Sequence, residues 1–419
     1  MSEEIKIPKG WEIKKLGEIA DLNPRESLYR GKVYPYIDMS SVPENNRLPE
    51  RFLYKEYKGS GSKFRKGDVL FARITPCLEN GKTVFVKDFP QDEVGFGSTE
   101  FIIIRQKKGV SDALFLYYLS RWNTFREIAK KKMSGTSGRQ RVSAQALANI
   151  NVPCPPLPEQ QKIAEILASF DDQIENLMEQ NKTLEEIAKT IFKRWFIDFE
   201  FPNEEGKPYK SSGGEFVDSE IGEIPKDWEI VYLKDEFKFE RGVEPGSKYY
   251  IKNPSEKQIK QNGLIPFYRV KDLETKSNVY ILRDVSKNKL SKYGDVLVSF
   301  DGTVGRVSAF LEGCYSSGIR KISSHKYPNA FIYFLMKSEY IQNIIKKHAT
   351  GTTILHASKS IEYLYFLRDK ESKILKRYIK VIQPIFERIL NNITQIQTLT
   401  QLRDTLLPKL ITGQIRVEV

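Results

Sequence analysis

Between Ile163 and Ile191 apolar residues recur at alternating steps of four and three: Ile163, Leu167, Phe170, Ile174, Leu177, Leu184, Ala188 and Ile191, with Asn181 at the one polar step. This is an a/d heptad seam, and it predicts a long helix whose stripe packs on another helix. An ordinary helix on a domain core would be shorter. The preceding run "PCPPLP" (Pro153 to Pro158) cannot be helical. Pro158 suits the first helical position, and Glu159 suits the first turn. A second seam, Leu375, Ile379, Ile382, Phe386, Ile389, Ile393 and Ile396, keeps the same alternation but carries Pro384, so a kink or break is expected near Gln383. Two seams in one chain most economically pack on each other. Asn181 costs stability there and fixes register.

Elsewhere the pattern is short. Val/Ile/Phe/Tyr runs bounded by Gly, Pro, Asn and Asp, such as Asp68 to Ala72, Thr83 to Lys87 and Glu100 to Arg105, read as strands of a mixed sheet. Around Leu114 to Lys132 and Ala330 to Lys347 the period shifts to that of an amphipathic helix. These elements occur twice, with an offset of about 216 residues. "PKGWEIKKLGEI" (Pro8 to Ile19) returns as "PKDWEIVYLKDE" (Pro225 to Glu236), and "YPYIDMSSV" (Tyr34 to Val42) as "IPFYRVKDL" (Ile265 to Leu273). "KGDVLFARITP" (Lys66 to Pro76) is answered by "YGDVLVSFDGT" (Tyr293 to Thr303), and Phe115 to Gly138 by Phe331 to Ile354, in the same order. A solenoid repeat is far shorter, so a whole α+β unit has been duplicated.

The expected architecture is α+β: two similar mixed α/β domains separated by two long helices packed as an antiparallel coiled coil, a pseudo-two-fold internal repeat. The expected segments are 1–157, a helix over 158–200, a linker over 201–224, a second domain over 225–370, and a helix with tail over 371–419. A helix of ~35 residues spans about 50 Å. Such a spacer separates two readers, as half-sites about 34 Å apart are read by dimeric DNA-binding proteins. Unlike domains would read unlike half-sites of an asymmetric, gapped target.

Charge points the same way. Lys and Arg outnumber Asp and Glu by 67 to 54, giving a net charge of +13, which favours nucleic acid first and a membrane surface second. A solvated Lys-rich surface is the plain alternative. The first residues carry no apolar signal core and no run approaches a membrane span, so a cytoplasmic chain is expected. With 3 cysteines and 3 histidines scattered along the chain, neither disulfides nor structural zinc are expected.

With these residues in view, the chain resembles the specificity subunit of Type I restriction-modification systems. The resemblance rests on the paired "PKGWEI" and "PKDWEI" openings, "PPLPEQQKIAEIL", "TIFKRWFIDFEF" (Thr190 to Phe201), "GEIPKDWE" and the terminal "LLPKLITGQIRV" (Leu406 to Val417). It implies two target recognition domains, double-stranded DNA as partner, two modification (methyltransferase) subunits docked on the helices, and restriction subunits for translocation and cleavage. It further implies no cofactor in this chain, with S-adenosylmethionine, ATP and Mg on the partner subunits. The second half departs from the pattern: "FLRDKESKILKRYIKVIQPIF" replaces the PPLPEQ run and leaves the start of the second helix open. Exposed helix faces favour self-association of the isolated chain.

The chain itself offers little chemistry. It has no [DNS]-P-P-[YFW] motif beside a flipped base, no phosphate loop and no dinucleotide fingerprint. The isolated Glu236-Phe237-Lys238 triplet lacks the upstream acid of a nuclease site. The reading is a non-catalytic subunit; a self-sufficient restriction or methylation enzyme and a coiled-coil adaptor without DNA are the alternatives. For DNA contact, "KKKMSGTSGRQRVS" offers Lys131, Lys132, Thr136, Ser137, Arg139, Gln140 and Arg141, and its counterpart "KKHATGTTILHASK" offers Thr352, Thr353, His356 and Lys359. Both stretches also read as a helix C-terminus with dipole-matching lysines and a Gly-containing loop. Turns after the GDVL strands add Arg73, Thr75, Asn80 and Lys82 in the first copy, and Asp301, Thr303 and Arg306 in the second. Arg105, Arg269 and Arg320 suit bidentate guanine contacts or structural salt bridges equally.

Overall fold

The computed structural model describes residues 7–136, 138–274, 277–351 and 355–418. It divides into two compact units, Met1–Asn176 with Gln395–Val419, and Leu177–Thr394. Among the described residues no helix is long and apolar enough to cross a membrane.

In the first unit Glu12–Lys15 pairs antiparallel with Asn151–Cys154, so the start of the domain lies beside its last strand. A four-stranded sheet follows in the order Ala20–Leu22, Phe101–Gln106, Val69–Ala72 and Thr83–Phe85. The two inner strands are apolar throughout except at one end, as befits strands covered on both faces. A second sheet orders Leu53–Glu56, Val33–Ile37, Gly95–Gly97 and Ser62–Phe64, with one parallel pair between Val33–Ile37 and Gly95–Gly97.

The second unit repeats this plan. Trp228–Tyr232 pairs with Tyr365–Asp369, and the inner sheet runs Lys238–Arg241, Ile319–Ser323, Val296–Ser299 and Val307–Ser308. Its other sheet again holds one parallel pair, Leu264–Tyr268 with Gly313–Tyr315. The mixed α+β units expected from the pattern are present.

Each amphipathic stretch expected as one helix is in fact two. Ala113–Arg121 and Asn123–Lys131 are separated by Trp122, and Asn329–Lys337 and Glu339–Lys347 by Ser338, both with extended backbone. Ser338 accepts the Ile341 N–H through its hydroxyl, which caps the new helix. Trp122 buries its indole in the core, so the bend is set there by packing.

The first long helix spans Leu157–Phe192 and ends in a wide turn over Lys193–Ile197. It begins one residue before Pro158. The second spans Lys373–Ile411 without interruption, so the break expected near Gln383 is absent. Pro384 lies on the exposed side, where the carbonyl that loses its N–H partner is free to meet water. The start of the second helix is capped by Asp369, whose carboxylate accepts the N–H groups of Lys373, Ile374 and Leu375.

Burial follows the seams with a drift toward 3.6 residues per turn. Ile163, Leu167, Ile174, Leu177 and Ala188 are buried, but Asp171 is covered where Phe170 was expected, and Tyr378 and Asn392 where Ile379 and Ile393 were. In the first unit Arg403 of the second long helix donates to Asp171 and Arg416 beyond its end donates to Glu159, so the two helices run in opposite directions there. In the second unit Asn392 Nδ2 donates to Asn181 Oδ1 at 2.8 Å, and Tyr378 packs edge-on against Phe192.

The "PPLPEQ" residues have structural work. Glu159, 3% exposed, accepts the Trp11 indole N–H at 2.9 Å and the Arg416 guanidinium. Gln160, fully buried, donates to the Pro155 and Val110 carbonyls and accepts the Asp112 N–H. Gly413 completes this corner at φ +71°, where an added Cβ would lie 2.3 Å from Pro8. The GWEI opening, the PPLPEQ junction and the TGQIR tail therefore meet at one place in the first unit.

Candidate nucleic-acid interface

After its second short helix each unit turns a tight hairpin back onto the end of an inner-sheet strand. In the first unit Ser134 and Arg141 exchange both backbone N–H···O bonds, at 3.0 and 2.9 Å. The returning strand then pairs with the GDVL turn: Thr75 N donates to Gln140 O and Val142 N to Arg73 O. In the second unit Thr350 and His356 exchange bonds at 3.0 and 2.7 Å, Gly302 N donates to Leu355 O, and Ala357 N to Phe300 O. The pattern is the same; its side chains differ. Arg141 forms a two-pronged ion pair with Glu100, whereas His356 Nδ1 lies 2.7 Å from Asp301 Oδ1.

Other predicted candidates are drawn to the same corner of each unit. Arg73 and Thr75 carry the turn under the hairpin, and Thr75 Oγ1 accepts the Gln140 N–H. Lys82 donates to the Met39 carbonyl, as Arg306 reaches the Lys271 carbonyl and Glu274 in the second unit. Arg269 folds onto Asp272 and Asn278. Thr303 is exposed on the turn. Asn80 points elsewhere, donating to Glu44.

The side chains separate into two groups. Lys131, Lys132, Thr136, Arg139 and Gln140 are exposed on the first hairpin and its helix end, and Lys359 is exposed beside the second hairpin. No carboxylate lies within ion-pair distance of these four cations among the described residues. By contrast Arg320 is 7% exposed, donating to the Ser317 and Ile319 carbonyls and to Ser358 Oγ. Burial and the neighbouring Arg241 hold its guanidinium below the ordinary arginine range. Arg105 is bound by Asp68 and Glu26 and serves the fold. Glu100, which sequence reading missed, is held below the usual carboxylate range chiefly by its hydrogen bonds from Arg141. Nothing local in the sequence marks a partner 41 residues away. Ser137, Thr352 and Thr353 lie outside the described residues.

Residues 8–186 and 225–361 match the family described as the Type I restriction modification DNA specificity domain. The chain is 31% identical to the Type I restriction enzyme MjaIX specificity subunit of Methanocaldococcus jannaschii, over 99% of this chain and 95% of that protein. It is 24% identical to the HindI specificity subunit of Haemophilus influenzae, over 97% and 99% respectively. The crystal structure of the Type-I restriction-modification system S subunit from M. genitalium shares the fold, with a TM-score of 0.51 at 15% identity over 98% of both chains. The two matched stretches cover the two copies of the repeat in turn, and the chain belongs to the Type I restriction-modification DNA specificity family.

Proposed function

We propose that each unit reads one half of an asymmetric, bipartite DNA target through its hairpin and the turn beneath it. The chain is a non-catalytic specificity subunit of a Type I restriction-modification enzyme. The observation that carries the half-site reading is the repeated hairpin-on-turn with different side chains, Glu100–Arg141 in one unit and Asp301–His356 in the other. Identical scaffolds with unlike donors and acceptors are what two unlike half-sites require. The exposed Lys131, Lys132, Arg139 and Lys359 supply phosphate contacts, and Gln140 and Thr303 are placed for base edges. Arg73, Thr75, Lys82, Arg141, Arg269, Arg306, Arg320 and His356 shape the corner that presents them.

In this reading the target recognition domains extend over 1–157 and 225–370, and the long helices form an antiparallel coiled coil that relates them by a pseudo-two-fold axis. The opposed running directions within each unit support this. The helices set the unread gap and dock two modification subunits, which carry S-adenosylmethionine; restriction subunits carry ATP and Mg. The assembly is cytoplasmic.

The test is a gel-shift series with the co-expressed modification subunit. One gapped duplex binds selectively, and substitutions in the Lys130–Ser143 hairpin alter preference in one half only. Equal affinity for scrambled duplexes would refute the reading. Replacing Lys131 and Lys132 by Gln weakens binding to all sequences alike and lowers the salt slope by about two.

A further inference from the structure

In the second unit one carboxylate is held by two side chains a helical turn apart. Glu185 Oε1 accepts from Tyr333 Oη at 2.6 Å and from Lys337 Nζ at 2.6 Å. The helix that carries them, Asn329–Lys337, corresponds in the first unit to Ala113–Arg121, which places Tyr117 where Tyr333 stands and Arg121 where Lys337 stands. The correspondence continues into the next helix. Arg126 lies over Gly81, and Gln342 lies over Gly305, each so close that a Cβ on the glycine would collide with it.

The first unit keeps the donors, but among the described residues neither Arg121 nor Arg126 forms an ion pair with a carboxylate. Tyr117 is 1% exposed, and among the described residues its hydroxyl has no hydrogen-bond partner. Arg121 spends one nitrogen on the Glu44 and Gly81 carbonyls. Among the described residues Arg126 has a buried Nε without a partner and only a 3.5 Å contact to Asn123. All three line a cleft of about 320 Å³, together with Arg403, Leu407 and Pro408 of the second long helix. Of the carboxylates on its wall, Asp171 is held by Tyr118 and Arg403, while Asp404, whose charge favours the Arg126 guanidinium, and Glu44 each have one oxygen in use, on Arg403 and Asn80. Burial, with Arg121 nearby, depresses the Arg126 guanidinium. Unspent N–H and O–H donors grouped in this way suit a carboxylate.

We propose that Tyr117, Arg121 and Arg126 form a carboxylate site that receives an Asp or Glu side chain of a polypeptide docking against the second long helix. The occupant of the corresponding place in the second unit is a helix-borne glutamate. The cleft admits a side chain and is too small for a duplex, and Leu407 and Pro408 offer apolar contact to the methylenes of an acidic residue. The site stands on this geometry alone; identifying the polypeptide as a modification subunit rests on the function proposed above.

The test treats the intact chain with phenylglyoxal and follows modification of Arg121 and Arg126 by peptide mass spectrometry at constant ionic strength. N-acetylglutamate N-methylamide slows both several-fold, its neutral glutamine analogue does not, and Arg126→Gln abolishes the protection of Arg121. Gln342 occupies the matching position of the second unit, so this variant keeps its fold, which circular dichroism checks. Equal rates with both compounds overturn the proposal, and so does protection by inorganic phosphate without protection by the glutamate compound. In the complex, Tyr117→Phe with Arg126→Gln weakens assembly with the modification subunit roughly tenfold by sedimentation. Protection by duplex DNA but not by that subunit also contradicts the proposal. Failure of the wild-type chain to assemble at all would refute the functional reading while leaving the carboxylate result intact.

Discussion

At the residue scale a tightly held charge is Arg47, 1% exposed in the loop between Val33–Ile37 and Leu53–Glu56. Its guanidinium meets both oxygens of Glu175 and one of Asp172, which also binds Lys87. Removing Arg47 leaves Glu175, 22% exposed, without its main partner, while the half-exposed Asp172 keeps Lys87 and water, so Arg47→Ala costs about 1–3 kcal/mol, read by chemical denaturation. Replacing Arg47 and Glu175 together with apolar residues costs less than removing Arg47 alone. Glu26 gives a pH-dependent counterpart. Hydrogen bonds from Arg65, then from Arg105, hold its carboxyl below the ordinary glutamate value despite burial. The folded pKa is depressed, so this contribution is complete above about pH 4.5 and disappears as pH falls through the lower folded value. The stability gap between wild type and Glu26→Gln therefore narrows on acidification below that pH; a gap that widened would contradict the assignment. None of these pairs was legible in the sequence, because each joins residues tens of positions apart whose local surroundings carry no periodic signal. Arg105 illustrates this: its type suited guanine, and only its distance from Asp68 and Glu26 settles what it does.

At the element scale, periodicity was a good guide to what exists and a poorer one to where it bends. The GDVL strands and both long helices stand where their apolar spacing placed them, because burial on one face dictates that spacing. The divided helices at Trp122 and Ser338 went unread, although Ser338 is a typical N-cap residue before an acidic one. Pro384 misled in the other direction, since an exposed proline in a well-packed helix need not end it. Asn181 was read correctly as a polar seam position, but its partner is Asn392, fully buried, with its Oδ1 unsatisfied. Replacing both by leucine raises the melting temperature and loosens register, seen as new cross-links between cysteines placed one heptad out of phase. Replacing Asn392 alone raises it less, because Asn181 then loses its partner.

At the scale of the whole molecule the duplicated unit was visible from its four echoed strings, and the relation to DNA from net charge and family resemblance. The corner where Trp11, Glu159 and Arg416 meet was not, since it joins the beginning, middle and end of the chain. If the helices are a ruler, removing one heptad from the first and the facing heptad from the second shortens the gap by about three base pairs. Both half-sites persist in that variant; a changed half-site would count against the ruler. The central claim is that two unlike hairpins read two unlike half-sites, and it is tested most directly by mapping methylated adenines genome-wide with single-molecule sequencing. The chain is co-expressed with its modification subunit, once as wild type and once with Arg139 and Gln140 replaced by alanine. The account predicts one asymmetric, gapped motif modified on both strands, with relaxed sequence in a single half for the variant. A contiguous motif, or relaxation in both halves at once, would contradict it.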